Sequence, residues 1–244
     1  MIIEQPNILL QACSTRLPIV LCLDVSPHMR KYADRLNVIF ESLLSEISRD
    51  RRLNSCAEIA LITYSTDLTV SEFKPIFEWK NSTVSISDCG HGDTVKAIMQ
   101  AVDVIEKRIE ALDEMEIGCY FPLLIIATEL GEDLLDCTSQ CDCERFLRET
   151  LAAFNGFDKI TACIIDLSGS ENITYVNEKI KKQMIILQED DVKSVAKRII
   201  NAFDSLYLGI KNKESIYQIF CEQIVKKQYD HSFERFKTIK TIRK

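Results

Sequence analysis

The chain has 244 residues, 46% of them hydrophobic and 27% charged, with a formal net charge of −7. That length suits one large α/β domain with appendages or two very small domains, and the balance is that of a soluble globular protein. No apolar run approaches the ~20 residues needed to span a bilayer, and Met1 to Cys13 carry Glu4 and no basic start, so neither a membrane span nor a signal peptide is expected.

The expected location is therefore cytoplasmic, and cysteine usage agrees. Ten cysteines are scattered, with Cys22 and Cys163 inside apolar strand-like runs, where free thiols act as small hydrophobes. Cys137, Cys141 and Cys143 cluster, but their spacing matches no zinc pattern and reads as free thiols on a loop. Charge is uneven. From Lys211 to Lys244 there are nine Lys/Arg and four Asp/Glu, leaving 21 Lys/Arg against 33 Asp/Glu in the body. An acidic body argues against nucleic-acid binding, and the basic tail reads as solvated.

Pro18 to Asp24 is a continuous apolar run ending in an acid, the pattern of a strand buried on both faces. After Val25-Ser26-Pro27-His28, the residues Tyr32, Leu36, Ile39, Phe40, Leu43 and Ile47 recur at helical spacing. Ala57 to Tyr64 is a second strand and Asp67 to Phe73 a third, more polar one. Only Ser65 and Thr66 clearly separate them, too few for a parallel crossover, so the pair is an antiparallel hairpin with the third strand at an edge. Phe77 to Cys89 reads as loop. A striped helix opens at Thr94 with Val95, Ile98, Val102, Ile105, Ile109 and Leu112.

Pro122 to Thr128 is another buried strand, and Glu129 to Cys143 an acidic loop. A helix around Phe146 to Phe154 ends at Gly156. Ile160 to Asp166 and Met184 to Leu187 are strands. Val192 to Phe203 is the last helix of the body, and a further helix runs from about Glu214 to Lys227. This alternation predicts a Rossmann-like, doubly wound α/β fold: a mainly parallel six-stranded sheet with one antiparallel edge strand and helices on both faces. The expected division is an extension over 1–15, the α/β domain over 16–205 and a helical basic appendage over 206–244.

In such sheets ligands bind beyond the carboxyl ends of the strands. Three polar segments fall there: Asp24-x-Ser26-x-His28, Gly92-Asp93-Thr94, and Thr128-Glu129-Leu130-Gly131. Hydroxyls and carboxylates are hard oxygen donors, suited to a small hard cation. Each also has a plainer role. Asp24 or Ser26 can cap the following helix with Pro27 in its first turn, Thr94 can cap the striped helix, and Asp93 can answer its dipole. His28, His91 and Cys89 together suggest a softer-metal alternative.

On these segments and the hairpin, the chain resembles the von Willebrand A family from about Arg16 to Phe203, in particular its bacterial TerY-like branch. That family's strand ends Asp-x-Ser-x-Ser, a Gly-Gly-Thr stretch opens a helix, and a later strand ends Thr-Asp-Gly. The resemblance implies a metal-ion-dependent adhesion site for Mg²⁺ or Mn²⁺, carried over to Asp24, Ser26, His28, Thr94 and Glu129. It implies a non-enzymatic module that docks a protein partner through an acidic side chain, in a bacterial stress or tellurite-resistance system; from charge and hydropathy, neither nucleic acid nor membrane is an expected partner. Two departures degrade the site. Histidine replaces the second serine, and imidazole is a poor Mg²⁺ ligand. Glu129 is one methylene longer than aspartate, which near-octahedral Mg²⁺ tolerates badly.

Two other functions stay open. One is a metal-free scaffold or regulator acting through the appendage. The other is an Asp24-dependent phosphoryl hydrolase, although the second aspartate such enzymes need is here Ser26. No Gly-rich phosphate loop or nucleophile elbow occurs either.

Overall fold

The computed structural model describes residues 15–129, 160–167 and the strand 184–188. The helices expected near 146–154, 192–203 and 214–227, the Cys137/Cys141/Cys143 cluster and the domain boundary at 205/206 lie outside the described residues.

Strand β1 (Thr15–Asp24) is the long apolar run, buried from Arg16 to its end. It is buried because it is flanked on both sides. It pairs in parallel with β2 (Ala57–Tyr64), Ile19 opposite Ile59 and Asp24 opposite Tyr64, and on its other side with β6 (Leu123–Thr128), Ile19 opposite Leu123. Strands β7 (Thr161–Asp166) and β8 (Met184–Gln188) extend the sheet in parallel, and β3 (Leu68–Val70) closes the other flank antiparallel to β2. The order is β3-β2-β1-β6-β7-β8.

The expected sheet is present, with two additions. Two-residue strands β4 (Lys74–Pro75), on β2, and β5 (Gly118–Cys119), on the start of β1, bring the described sheet to eight strands rather than six. Strand β4 also corrects the single edge strand expected over Asp67 to Phe73. Val70 faces Ile62 but Lys74 faces Ile59, so three residues on the edge oppose two on β2. The extra residue is a bulge. It is held at Ser71, whose N–H donates to the Leu61 carbonyl while its hydroxyl accepts from the Leu61 N–H.

Successive strand residues point to opposite faces. Val20, Cys22, Ala60, Ile62, Leu124 and Ile126 form one core layer with Ala97, Ile98, Ala101 and Ile105 of helix α3 (Thr94–Glu114). Leu17, Ile19, Leu21 and Leu23 project to the other side, where helix α1 (Ala33–Arg49) offers its buried stripe of Leu36, Ile39, Phe40, Leu43 and Ile47. The Phe40 ring meets Trp79 edge-on at 6.0 Å, and the Trp79 indole N–H donates to the Ile59 carbonyl. The loop expected after Phe77 is thus pinned by a buried tryptophan at the end of a short 3-10 turn, Ile76–Trp79. Helix α2 (Arg51–Cys56) was not expected; it starts where Asp50 accepts from the N–H groups of Arg52 and Leu53.

At the amino-terminal end of the sheet, Glu58 on β2 is buried and receives both Nε and Nη2 of Arg108. The pair is bidentate, and the guanidinium also lies over Phe73. Removing one partner leaves a buried carboxylate uncompensated. Because Arg108 keeps partial solvent access, Arg108→Ala is expected to cost about 2 kcal/mol in urea unfolding. Arg108→Lys, which loses the fork, should recover only part of it.

Candidate functional site

Strand β1 has β2 on one side and β6 on the other, so chain connections leave it in opposite directions. A crevice opens beyond the carboxyl end of such a strand. Asp24 ends β1, Tyr64 ends β2 and Thr128 ends β6, all at this rim and all buried.

Asp24, 2% exposed, is the hub. Its Oδ1 accepts from the Ser26 N–H at 2.9 Å and from the Ser26 hydroxyl. Its Oδ2 accepts from the Thr128 hydroxyl at 3.1 Å and lies 3.3 Å from His28 Nε2. Ser26 Oγ, with its hydrogen directed to Asp24, faces the His28 ring, 3.1 Å from Nδ1 and 3.2 Å from Nε2. The second polar loop closes on the same carboxylate. A Cβ added at Gly92 would come 3.0 Å from Asp24 Oδ1 and 3.1 Å from Oδ2, so any side chain here would make the carboxylate give by a few tenths of an ångström. Two residues on, Thr94 Oγ1 lies 3.1 Å from the Tyr64 hydroxyl, and both groups are buried. Burial, reinforced by the nearby Asp24 charge, pushes the Tyr64 phenol well above its usual range and keeps it neutral.

The plainer capping roles are corrected here. Ser26 stands at the cap of the 3-10 turn Pro27–Tyr32 but makes no side-chain capping bond, because its hydroxyl is turned to Asp24. Thr94 does not cap α3. Asp93 does, accepting from the Lys96 N–H at 2.9 Å, which frees the Thr94 hydroxyl to face Tyr64. The dipole role given to Asp93 becomes a direct cap.

Glu129 follows Thr128 at the same rim but is committed elsewhere. Its Oε1 accepts from the Lys31 ammonium at 2.7 Å and from the Tyr32 hydroxyl at 3.1 Å. That carboxylate raises the Lys31 pKa and holds its positive charge, chiefly through the hydrogen bond. Glu129 Oε2 is buried and is the one such side-chain atom, among the described residues, without a hydrogen-bond partner.

The divalent cation that the resemblance implies can be tested against this donor set. Ser26 Oγ is held between Asp24 and an imidazole, and Thr94 Oγ1 faces a phenol. Both Asp24 oxygens already accept hydrogen bonds, and the Glu129 charge is balanced by an ammonium. Mg²⁺ needs near-octahedral oxygens and dehydrates reluctantly. Glu129 Oε2 alone invites an ion, and a single charge-balanced oxygen does not make such a site. The residues do not fit the cation. For the softer metal, His28 and His91 are neighbours, with ring centroids 6.2 Å apart, but no three of His, Cys, Asp or Glu gather as a ligand set among the described residues.

Sequence reading singled out Asp24, Ser26, His28, Thr94 and Glu129, and the rim gathers all three of their loops. It passed over Tyr64, Lys31 and Tyr32. Tyr64 carried a usable signal, a hydroxyl closing an apolar strand whose neighbour ends in Asp24. Lys31 and Tyr32 carried none.

The strand order, the antiparallel flank and the three loops meeting at the end of the central strand decide the fold. It is a doubly wound α/β fold whose order resembles the von Willebrand A arrangement. No protein-family model matches the sequence, and no curated protein matches it. Among solved structures, a mutant of the PilB minor pilin from Streptococcus sanguinis aligns at 10% identity over 86% of this chain and 63% of that one, with a TM-score of 0.52. The pilus adhesin SpaC from Lactobacillus rhamnosus GG aligns at 11% identity over 75% of this chain and 29% of that one, with a TM-score of 0.51. The VWA domain of SpRpn10 aligns at 12% identity over 75% and 94%, with a TM-score of 0.43. The chain thus spans 63% and 29% of the pilin and the adhesin, and at such identity the likeness is one of fold alone. No helix among the described residues is long and apolar enough to cross a membrane.

Proposed function

We propose that the chain is a non-enzymatic protein-interaction module, located in the cytoplasm, that docks a partner at the rim around Asp24. The observation that carries this reading is the convergence of three loops on one buried carboxylate, with Gly92 against Asp24 and His28 beside it. The rim is a fixed polar floor with a charged edge. Lys31 and Arg30 stand exposed beside it, and Lys31 keeps ammonium hydrogens beyond the one given to Glu129. An acidic side chain of the partner is the complement. The TerY-like resemblance supplies the proposed setting, a bacterial stress or tellurite-resistance system.

The test compares affinity capture by the wild-type chain, by Lys31→Glu at the rim and by Lys107→Glu on the exposed face of α3. Partners retained by wild type and Lys107→Glu, but lost with Lys31→Glu, are the expected result. Equal capture by all three removes the rim as the docking surface. Turnover of generic phosphomonoesters that disappears in Asp24→Asn would replace this reading with the hydrolase.

A further inference from the structure

We infer that this rim carries its own cation, the Lys31 ammonium, and that the His28 imidazole fills the place beside Asp24 and Ser26 that a metal would need, so that the site works without a divalent metal. The inference deepens the docking reading and rests on it for its biological meaning.

Three observations converge. First, the acid that closes the motif is already neutralised. Lys31 reaches from an exposed stem to Glu129 Oε1 at 2.7 Å, with its side chain 56% exposed against 8% for the glutamate. Second, the position at which a hydroxyl would be expected holds an imidazole. Its Nε2 lies 3.2 Å from Ser26 Oγ and 3.3 Å from Asp24 Oδ2, bridging the two side chains that a cation would have to recruit. Third, the remaining donors are spent inside the protein, with Thr94 on Tyr64 and Thr128 on Asp24.

The positive charge and the group beside Asp24 are thus both delivered by side chains, and both come from one short stretch. His28 and Lys31 lie on the 3-10 turn Pro27–Tyr32, three residues apart, which a 3-10 turn places on one side. The same turn carries Arg30, which pairs with Asp88 at the surface at 2.9 Å. A partner carboxylate arriving at the rim then meets an ammonium directly, where a metal-dependent site would offer an open coordination position. Such an encounter weakens with salt and is indifferent to chelators.

Ion binding is measured on the free, full chain, so it stands or falls separately from partner capture. The probe is Mn²⁺ alone, followed by electron paramagnetic resonance of the free ion and by melting temperature. Wild type should bind no Mn²⁺ at millimolar concentration and should melt at the same temperature with Mn²⁺ or with chelator. The double variant His28→Ser, Lys31→Met should bind Mn²⁺ at least ~10-fold more tightly than wild type. Should the double variant not fold, Lys31→Met alone serves, with Mn²⁺ expected to raise its melting temperature and not that of wild type. Saturable Mn²⁺ binding by wild type overturns the inference, as does a folded variant that gains none. Loss of partner capture with intact metal exclusion would instead strike only the docking surface.

Discussion

Asp24→Ala is expected to lower the unfolding free energy by about 3 kcal/mol, whereas Asp24→Asn should cost about 1 kcal/mol. The difference lies in which donors are stranded. The carboxylate accepts from the Ser26 N–H, the Ser26 hydroxyl and the Thr128 hydroxyl, with His28 Nε2 close by. Alanine removes every one of these acceptors at a position only 2% exposed, where water cannot replace them. Asparagine keeps one oxygen for the two Ser26 donors. Its amide hydrogens face Thr128 and His28, a hydroxyl that can rotate and a ring that can change tautomer, so both can accept. Urea unfolding of the two variants checks the ranking. Equal costs for both would mean that charge, rather than hydrogen bonding, organises the rim.

Gly90→Ala is expected to cost about 3–5 kcal/mol, combining a strained backbone with a steric collision. Gly90 has φ of +107°, outside the regions side chains accept readily. An added Cβ would stand 2.0 Å from Thr66 Oγ1 and 2.5 Å from the Thr66 backbone nitrogen. A rotamer change at Thr66 answers the first contact but not the second, so the loop itself has to shift. The pairing of Gly90→Ala with Thr66→Gly should therefore recover only a minor part of the loss. This loop also carries His91 and Gly92, so the damage should reach the rim, visible as changed imidazole resonances of His28 and His91 in proton NMR.

How far this was readable beforehand follows from where each signal sits. Strands β1, β2 and β6 announce themselves because a strand buried on both faces must be apolar throughout. The hairpin was legible from chain length alone, since two residues cannot make a crossover. The bulge was not, because its cause is the register Ser71 adopts against Leu61 on another strand. Neither was β5, whose two residues gain their strand character only from pairing with Thr15 and Arg16.

At the site, Asp93 and Thr94 are both good helix caps by type. The choice is made by the backbone of Asp93, extended at φ −106° and ψ 93°, which puts its carboxylate in the capping position. The ion pair between Lys31 and Glu129 spans nearly one hundred residues of chain, and no local pattern encodes it. The rim was therefore legible as a set of loops, while the chemistry inside it was decided by contacts between them.

The misaligned register at Ser71 bears on how this protein behaves in crowded solution. An outermost strand with an unbroken row of amides invites a stranger's backbone to zip alongside, and repeated many times that becomes a fibril. Here the flank offers three matched residues, then a kink, then a proline that has no amide hydrogen to give. A would-be zipper loses step after one stride.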